Sequence, residues 1–399
     1  MIKVAHVATV DLSLRFLLLN QLKSLQEAGY SITGMSAAGP HVRELEGHGI
    51  HHIPVSLTRS MTPVSDLVAL WRLYRIMRRE RFAIVHCHTP KAELLGQLAA
   101  RLAGVPIVVD TFRGIYHRTG TSRLQRRLLV TMARLAASCA DLVLCQSREA
   151  MDEMIRTNFC EPERLALLGN GIDVREFDLS RLNPFQLNAL RNELGLSARR
   201  PVVGFVGRLV REKGIVDLFR AMNLVRAIVP NAQLLVVGPV DPDKPDAITP
   251  EMCRGFGLED GCVFTGLRTD MPLLYGLMDV FVLPSHREGF PRAPMEASAM
   301  GVPCVVTNIP GCREVIEHGE NGLLVPAGES VALADAITSL ITNRELAKRM
   351  GRAGRQKALE DFDEERVFSI VKAAYGRLLA DKGIAAAPWN VPVTQTTES

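Results

Sequence analysis

Short β-branched segments alternate with helical segments along most of the chain, and this alternation restricts the fold more than any other feature. Strand and helix in succession imply parallel strands joined by helical crossovers, and so a sheet wound with helices on both faces. Several helical segments end at a glycine, as at Gly29 and Gly104, which is a common helix stop. The predicted strands cover residues 2–8, 31–36, 83–87, 106–110, 141–145 and 164–168, and then 201–207, 233–237, 262–265, 279–283, 303–306 and 322–325.

The alternation is interrupted once, at residues 170–200, which are polar and irregular apart from one short helix. A chain of 399 residues is too long for one ordinary core, so two domains are expected. We therefore predict an α/β protein of two Rossmann-like domains, over residues 1–180 and 181–365. A C-terminal helix over residues 366–382 is expected to pack back on the first domain, and residues 383–399 are expected to form a disordered tail.

The composition, 47% hydrophobic and 23% charged, is typical of a soluble globular protein. No apolar run approaches the roughly 18 residues of a membrane span. The start MIKVAHVATV leads directly into a strand-like segment, which predicts no secretory signal. Eight scattered cysteines without a CxxC pair indicate neither a zinc site nor a disulfide framework. We therefore expect a cytoplasmic protein.

The charge is unevenly distributed. Residues 1–185 carry 23 basic and 17 acidic side chains, whereas residues 186–399 carry 24 and 26. Residues 65–82 read as a helix with one tryptophan, one tyrosine and five arginines, and residues 122–136 are also basic. Basic amphipathic helices with aromatic residues often bind anionic membranes, although a solvated surface helix is the alternative. Nucleic acid is not expected as a partner, because aromatics are only 5% and no nucleic-acid motif is present.

Residues 286–306, HREGFPRAPMEASAMGVPCVV, place Glu288 and Glu296 eight positions apart around a strand-to-helix turn. Pro294 suits a first helical position, which would put Glu296 in the first turn and Glu288 in the preceding loop. Ligands of open α/β sheets bind at the carboxyl ends of strands, so this turn is a candidate ligand site. An acidic first turn in an ordinary helix is the alternative interpretation.

The segment GFVGRLVREKG, residues 204–214, matches neither the dinucleotide fingerprint nor a P-loop. It places Arg208 and Lys213 after a strand that ends at Gly207. Two cations near a helix start fit a diphosphate, although two solvated charges would give the same pattern.

Two patterns raise the question of a metal. His86 and His88 end a strand, but no third ligand is near them in the sequence, so His88 is predicted to line the cleft or to be structural. The run DPDKPD, residues 241–246, contains an Asp-x-Asp, but its prolines indicate a polar loop. We expect no metal site and no cofactor.

The segments VGRLVREKG and FTGLRTDMPLLYGLMDVFVLPSHREGFPRAPMEASAMGVPCVVTNIPGCREVIEHGENGLLVPAG resemble the donor domain of the family-4 retaining glycosyltransferases. VHCHTPKAELLGQLAARLAGVPIVV and LGNGIDVREF resemble the exopolysaccharide and capsule branch of that family. The similarity covers about residues 1–380. It implies the GT-B fold, two Rossmann-like domains facing a cleft, with a nucleoside-diphosphate sugar as co-substrate.

The resemblance also assigns roles. Glu296 would bind the ribose hydroxyls, Glu288 the hydroxyls of the donor sugar, and Arg208 with Lys213 the diphosphate. Cations and N–H groups aimed at the departing diphosphate would stabilise its developing charge. Retention by front-face attack is implied as well, so neither glutamate needs to act as a nucleophile. The other donor contacts implied are Gly207, Gly289, Phe290 and Arg292 around the sugar and phosphates, and Gly266, Leu267 and Arg268 near the base.

Two departures from the family pattern affect the first domain. The first loop, ATVDLSLRF, lacks the usual glycine pair, and Asp11 and Ser13 are expected to face the acceptor instead. In DTFRG, Arg113 stands where many members have a histidine, so Arg113 or His117 would take over that contact. Arg113 is always protonated and so cannot be a general base, but it could bind a phosphate.

The predicted function is that of a retaining transferase, which moves a hexose-type sugar from a nucleoside-diphosphate sugar to a lipid-linked saccharide acceptor. The predicted process is surface polysaccharide biosynthesis, at the inner face of the plasma membrane. A soluble acceptor and a GT-B nucleotide-sugar epimerase are the alternatives. A non-catalytic binding module and a nicotinamide dehydrogenase are disfavoured, the latter because no GxGxxG follows an early strand. The predicted catalytic set is Glu288, Arg208, Lys213, Arg113 and His88.

Overall fold

The computed structural model describes residues 1–58, 62–113, 123–241 and 246–385, without the side chains of residues 123–126, 128 and 129. Within this part of the chain there are two compact units. The first unit contains Met1–Gly169 and the chain from Val367 onward, and the second contains Asn170–Arg366.

The second unit begins at Asn170, whereas the sequence analysis placed the boundary after residue 180. Gly171 packs so closely on Glu364 that a Cβ at Gly171 would lie 2.6 Å from the Glu364 Cα atom. Ile172 pairs with Asp363 in an isolated parallel bridge. The polar segment that reads as a linker therefore begins inside the second unit.

A parallel sheet forms the centre of the first unit. Its strands are β1 (Ile2–Val10), β2 (Tyr30–Ala37), β3 (His51–Pro54), β4 (Ile84–Cys87), β5 (Ile107–Phe112), β6 (Leu142–Cys145) and β7 (Leu165–Leu167). Their order in the sheet is β3-β2-β1-β4-β5-β6-β7, with every neighbouring pair parallel. The chain direction across the sheet reverses between β1 and β4, which makes this pair the topological switch point.

Helices cover both faces of this sheet. They are α1 (Asp11–Ser13), α2 (Leu19–Glu27), α3 (Val42–Gly47), α4 (Pro63–Glu80), α5 (Pro90–Ala103), α6 (Arg123–Cys139) and α7 (Arg148–Arg156), with a π-helical turn at Leu14–Leu18. Both α4 and α5 begin with a proline, whose missing N–H is not needed in a first turn. Helix α5 ends at Gly104, which has a left-handed φ of 72°.

The second unit repeats this plan with six strands. They are β8 (Val202–Val206), β9 (Gln233–Val237), β10 (Cys262–Phe264), β11 (Val280–Leu283), β12 (Cys304–Thr307) and β13 (Gly322–Val325). The sheet order is β10-β9-β8-β11-β12-β13, again parallel throughout. Here the reversal lies between β8 and β11. The helices are α8 (Pro184–Glu193), α9 (Ile215–Ile228), α10 (Met271–Tyr275), α11 (Arg292–Ala299), α12 (Cys312–Val315), α13 (Ser330–Thr342) and α14 (Arg344–Asp361).

The last helix, α15 (Glu364–Asp381), begins in the second unit and from Val367 onward belongs to the first. Its apolar side chains join the core of the first unit, on the sheet face that also buries Val4 and Leu22. These side chains are Val371, Tyr375, Leu378 and Leu379. Of the predicted tail, only residues 383–385 lie in the described part of the chain.

The twelve predicted strands are all present, with ends that differ by a few residues. The sequence analysis missed β3, His51–Pro54, which is a four-residue edge strand. Its sequence HHIP has one β-branched residue and a proline, and so lacks the composition that identifies a strand. Cys87, Cys145 and Cys304 are fully buried in their strands, where cysteine acts as a small hydrophobe.

Candidate functional site

Glu288 lies in the loop between β11 and α11, at the carboxyl edge of the second sheet. The hydroxyl of Ser285 donates to its Oε1 atom at 2.6 Å, and Nζ of Lys213 lies 2.6 Å from the same oxygen. The side chain of Glu288 is only 9% exposed and that of Lys213 is 21% exposed. A largely buried ion pair therefore joins the loop after β8 to the loop after β11, across the switch point where open α/β sheets bind ligands.

Two glycines bring the loops around this ion pair together. Gly214 follows Lys213 with a φ of 71°, and a Cβ there would collide with the carbonyl oxygen of Pro284. Gly311, in the loop after β12, has a φ of 79°, and a Cβ there would collide with the carbonyl oxygen of Gly289. Neither position has room for a side chain. Backbone from three adjacent strand-to-helix loops is thus in direct contact at the site.

Phe290, which follows Gly289, is held by contacts within the second unit. Its carbonyl oxygen accepts a hydrogen bond from Nδ2 of Asn170 at 2.8 Å. Its ring meets that of Phe362 edge-on, with 6.2 Å between the ring centres. The loop that carries Glu288 is therefore fixed at both ends.

Helix α11 begins at Arg292, two residues before the predicted start at Pro294. Pro291 occupies the N-cap position with an extended backbone, and Pro294 is the third helical residue. A proline is accepted there because first-turn N–H groups have no partner within the helix. Glu296 is consequently the fifth helical residue, one turn into the helix rather than at its first turn.

Glu296 is held by neighbours on two helices. The hydroxyl of Tyr275 donates to its Oε2 atom at 2.8 Å, and Nε of Arg292 lies 4.0 Å from its Oε1 atom. Arg292 also lies 3.8 Å from a carboxylate oxygen of Glu364. Burial raises the pKa of Glu296 above its usual value, and the Arg292 charge and the Tyr275 hydrogen bond oppose that shift. A carboxylate has about four acceptor positions, so these contacts leave capacity for ligand hydroxyls.

The carboxyl ends of β8, β9 and β10 form a surface of bare backbone. The N–H of Gly207 donates to the carbonyl oxygen of Val237 at 2.9 Å, and that of Gly238 to Gly266 at 2.9 Å. Gly238 has a φ of 139°, and a Cβ there would collide with the Gly207 carbonyl. The side chain of Leu267 beside this surface is 60% exposed. A Cβ at Gly266 would meet no atom within 4 Å, so the backbone there is open to a ligand.

Arg208 and Arg268 both lie at this edge, but they differ in how many carboxylate contacts they make. The side chain of Arg208 is 45% exposed, and its Nη1 atom lies 3.1 Å from Oδ2 of Asp241. Arg268 makes two bonds to Asp270, at 2.8 and 2.6 Å, and one to Glu193 at 3.1 Å. The hydrogen bonds to Asp270 and Glu193 raise the pKa of Arg268 above its usual range. The guanidinium of Arg268 is thus committed to carboxylates, and only the backbone at this position remains for a ligand.

Several residues of this site were missed by the sequence analysis. Ser285 stands three residues before Glu288 in the same loop, so its place in the sequence could have revealed it. Tyr275 and Asp217 reach the site from other helices, and no local pattern marks them. Asp217 binds His286, with 2.9 Å between Oδ2 and Nε2.

In the first unit, His88 and Arg113 are brought together. Nε of Arg113 donates to the carbonyl oxygen of His88 at 3.1 Å, and its Nη1 atom lies 3.4 Å from Oε1 of Gln146. Burial lowers the pKa of His88 well below its usual value, so the ring is neutral. His117, the alternative to Arg113, lies outside the described residues.

The sequence analysis found no third imidazole near His86 and His88, but the structure places His6 beside them. Nitrogen atoms of the three buried rings lie within 4.8 Å of one another. His6 was missed because it stands 80 positions away in the sequence and reaches the others only through the β1–β4 pairing.

The structure contradicts the expectation that Asp11 faces an acceptor. Its side chain is buried, and its two carboxylate oxygens accept the N–H groups of Leu12, at 2.9 Å, and His41, at 2.8 Å. A Cβ on Gly39 would collide with the same carboxylate. Asp11 therefore joins the loop after β1 to the loop after β2. Ser13, predicted with it, is half-buried in α1.

Two further carboxyl groups, also missed in the sequence, are buried behind Arg113. Asp110 on β5 and Glu93 on α5 are 3% and 8% exposed. Burial raises the pKa of Asp110 to about 7 and that of Glu93 well above its usual value, and the charge of Arg113 opposes both shifts. Both carboxyl groups therefore keep their protons to a higher pH than exposed carboxyl groups do.

Comparison with known families matches most of each unit. Residues 188–357 match the model of the group 1 glycosyl transferases, and residues 17–171 match the glycosyl transferase 4-like domain. The chain belongs to the family-4 glycosyltransferases. The resemblance noted in its motifs is thereby confirmed.

Relatives of this glycosyltransferase include proteins of polysaccharide synthesis. The capsular polysaccharide biosynthesis glycosyltransferase CapM of Staphylococcus aureus is 28% identical, over 95% of this chain and 98% of its own length. An Escherichia coli enzyme named UDP-Gal:alpha-D-GlcNAc-diphosphoundecaprenol alpha-1,3-galactosyltransferase is 26% identical, over 96% of this chain and 98% of its own.

A solved structure supports the fold of the glycosyltransferase. The crystal structure of Anabaena HepE in complex with UDP and glucose superposes with a TM-score of 0.81, covering 94% of this chain and all of the other, at 22% identity. The predicted fold class, GT-B with two Rossmann-like domains, is confirmed. No described helix of this glycosyltransferase is both long and apolar enough to cross a bilayer.

Proposed function

We propose that this glycosyltransferase moves a hexose-type sugar from a nucleoside-diphosphate sugar to a saccharide acceptor, with retention of the anomeric configuration. One observation carries the proposal. The Lys213–Glu288 ion pair lies at the switch point of the second sheet, at the edge that also holds Glu296 and Arg208. This is where an open α/β sheet binds its ligand, and the residues there match the charges of a nucleotide sugar.

The charges at this edge suit a departing diphosphate. Cleavage of the sugar–phosphate bond leaves negative charge on the diphosphate, and Lys213 and Arg208 are the cations assigned to it. Lys213 is held by Glu288 and so needs little rearrangement when the charge develops, which is the condition for effective electrostatic catalysis. No metal ion is required in this scheme.

Glu288 is assigned to the hydroxyls of the donor sugar. Both Lys213 and Ser285 bind its Oε1 atom, which leaves Oε2 to accept a sugar hydroxyl. A carboxylate held by two donors is a poor nucleophile. This supports front-face attack, in which the leaving phosphate takes the proton of the acceptor hydroxyl and no covalent sugar–enzyme intermediate forms.

The donor is inferred to be a UDP-sugar. Glu296, fixed by Tyr275, is assigned to the two ribose hydroxyls, and the bare backbone at Gly207 and Gly266 to the base. The choice of uracil rests on relatives, since the HepE structure contains UDP and glucose and the E. coli enzyme is named for UDP-Gal.

The acceptor is inferred to be lipid-linked and used at an anionic membrane surface during surface polysaccharide synthesis. The E. coli relative is named for a diphosphoundecaprenol acceptor. Helix α4 exposes a row of apolar side chains, and the guanidinium of Arg75 lies 4.7 Å above the Trp71 ring. The exposed apolar residues are Val64, Leu67, Val68 and Trp71. Such a helix is suited to the headgroup region of a bilayer.

The test is transfer from a panel of UDP- and GDP-sugars to lipid-linked and free saccharides, with the anomeric configuration of the product read by NMR. We expect an α-linked product from an α-linked UDP-sugar, with lipid-linked acceptors preferred. An inverted product would reject retention. Transfer only to free saccharides would establish a soluble acceptor, and conversion of the nucleotide sugar without any acceptor would establish an epimerase.

A further inference from the structure

A chain of hydrogen bonds runs through the core of the first unit. Nε2 of His88 lies 2.9 Å from Nδ1 of His6, and Nε2 of His6 lies 3.4 Å from the hydroxyl oxygen of Tyr375. That oxygen lies 2.7 Å from Nδ1 of His86, whose Nε2 atom lies 2.7 Å from the hydroxyl oxygen of Thr111. All five side chains are buried, with at most 2% of their surface exposed. The chain joins β1, β4 and β5 to helix α15.

This hydrogen-bond chain lies at the switch point of the first sheet. His6 on β1 and His86 on β4 are register partners, and His88 follows at the end of β4. The ring of His88 stacks on that of His86, with 4.1 Å between ring centres. In the second unit the Lys213–Glu288 pair also lies at the switch point, but in the loops beyond the ends of β8 and β11.

The three imidazoles are neutral. Burial lowers the pKa of His6 to about 3, and the pKa values of His86 and His88 also lie well below the usual value. A neutral imidazole has one N–H donor and one lone pair. The buried Tyr375 O–H also needs an acceptor, and His6 and His86 are the two imidazoles within its reach. With that hydrogen bond made, all the hydrogen bonds of the series run in one direction, and one tautomer fixes the next.

The direction follows from the end of the chain at His88. Its Nδ1 atom is buried and makes no hydrogen bond within the described residues. In one direction this atom would be an unpaired N–H group, and in the other an unpaired lone pair. Unpaired buried N–H groups are the rarer of the two, which favours the direction that leaves a lone pair on Nδ1 of His88. Each of the three histidines then carries its proton on Nε2.

We propose that His6 and Tyr375 are positioning residues for the transfer reaction, which fix His88 as its Nε2–H tautomer and hold its backbone against Arg113. The carbonyl oxygen of His88 accepts the Nε–H of Arg113 at 3.1 Å, so a displaced His88 also displaces the guanidinium. This inference rests on the proposed transferase function for its effect on rate, but not for the tautomers themselves.

The same rings could instead ligate a metal ion, but the distances favour the hydrogen-bond chain. The 2.9 Å between nitrogens of His6 and His88 is the length of a direct hydrogen bond. Both nitrogens of His86 already lie 2.7 Å from hydroxyl oxygens. A shared ion would require these nitrogens to lose their protons or partners.

The test uses the full-length protein labelled with 15N-histidine and the variant Tyr375→Phe, which removes only the hydroxyl. Long-range 1H–15N spectra of the wild type should show three buried neutral Nε2–H rings. In Tyr375→Phe the His86 and His6 resonances should change, because one loses a donor and the other an acceptor. The value of kcat should fall about 2- to 10-fold, the weight of one neutral hydrogen bond, with KM for the UDP-sugar unchanged.

Tyr30→Phe is the matched control. Tyr30 is also buried and its ring meets that of Tyr375 edge-on at 5.7 Å, but it is outside the chain. The Tyr30→Phe change should leave both the histidine spectra and kcat as they are in the wild type. Thr111→Val cuts the chain at its other end and should alter the His86 resonances.

Three results would overturn the proposal. They are an Nδ1–H tautomer at His88 in the wild type, a Tyr375→Phe enzyme with unchanged kcat, and one equivalent of tightly bound zinc that is lost in His6→Ala. If no sugar transfer is found with any donor, the histidine tautomers still test the hydrogen-bond chain. Failure of the proposed transferase function and failure of the hydrogen-bond chain are therefore distinguishable.

Discussion

Lys213 forms an ion pair with Glu288, with 2.6 Å between Nζ and Oε1. Replacing it by alanine removes the cation assigned to the diphosphate, and Arg208→Ala removes the second. We expect each change to lower kcat about 100- to 1000-fold, equivalent to about 2.7–4 kcal/mol of lost transition-state stabilisation. Steady-state kinetics with the preferred UDP-sugar would measure this.

Lys348→Ala is the control for these variants, because Lys348 is 64% exposed on helix α14, outside the site. It should keep normal kinetics. Near-normal rates in both Lys213→Ala and Arg208→Ala would reject the diphosphate assignment.

Glu296 and Glu288 should respond differently to the bare nucleotide. Glu296→Gln should weaken UDP binding by about 1.5–3 kcal/mol, because a charged acceptor for the ribose hydroxyls is lost. Glu288→Gln should leave UDP binding intact, since Glu288 is assigned to the sugar and loss of its charge frees Lys213. The variant should nevertheless have a lower turnover. Calorimetry with UDP separates the two, with the 84%-exposed Glu345 changed to Gln as control. If Glu288→Gln is the change that abolishes UDP binding, the two roles are reversed.

Asp110 should make the protein less stable as the pH rises. Burial raises its pKa to about 7 in the folded state, whereas an unfolded aspartate ionises near pH 4. Between these values the folded state binds more protons than the unfolded state, so this group lowers stability progressively from about pH 4 to pH 7. The pKa of Glu93, which interacts electrostatically with Asp110, is raised as well.

Asp110→Asn should therefore lose less stability than the wild type between pH 5 and pH 8, as measured by urea unfolding. The exposed Asp152 changed to Asn provides the reference. Parallel stability curves for wild type and Asp110→Asn would show that the carboxyl group is already ionised at pH 5.

At the scale of elements, helix α4 has the features of a helix that binds a membrane surface. It buries Ala69, Leu73 and Met77 against the sheet and exposes apolar and basic side chains on its other side. Within a Debye length of about 8–10 Å from an anionic surface, each basic residue contributes roughly 1 kcal/mol to the free energy of binding. We expect binding to anionic vesicles that weakens steeply with salt, and poor binding to neutral vesicles.

The triple change Arg75→Gln, Arg78→Gln and Arg79→Gln should release the protein from these vesicles in a co-sedimentation assay. A triple change of exposed arginines on α14, at Arg344, Arg349 and Arg352, removes the same charge and should not. Equal release by both sets would mean that only net charge matters, and no binding by the wild type would favour a soluble acceptor.

The elements of this fold could be read from the sequence because each central strand is an apolar run bounded by polar turns. The order of the strands in the sheets could not, because it depends on pairings between distant segments such as β1 with β4. The same limit applied to the sites. Glu288 and Glu296 are marked by a local loop pattern, whereas Tyr275 and His6 reach their sites from elsewhere in the chain. The start of α11 was misjudged because a proline fits several positions of a first turn.

At the scale of the whole molecule, the first unit depends on the far end of the chain. Leu379 on α15 is fully buried in the core of the first unit. Leu379→Ala should cost about 2–5 kcal/mol of stability through the cavity it leaves. Hydrogen exchange followed by mass spectrometry should show faster exchange in β1 and β4 and unchanged exchange in β8 and β11.

Leu359→Ala is the control, since Leu359 is 47% exposed on α14. Its effect should stay within about 0.5 kcal/mol. Uniformly faster exchange across both units in Leu379→Ala would show that the two units unfold as one.

Helix α15 also determines the order in which the units can be completed during synthesis. Domains generally fold as they leave the ribosome, the N-terminal one first. Here the second unit is continuous in sequence, whereas the first lacks Val371, Tyr375 and Leu379 until the whole of the second unit has been translated. One face of the first unit's sheet therefore stays incompletely covered while the second unit is translated. The second unit is translated later, but it is the first that can complete its core.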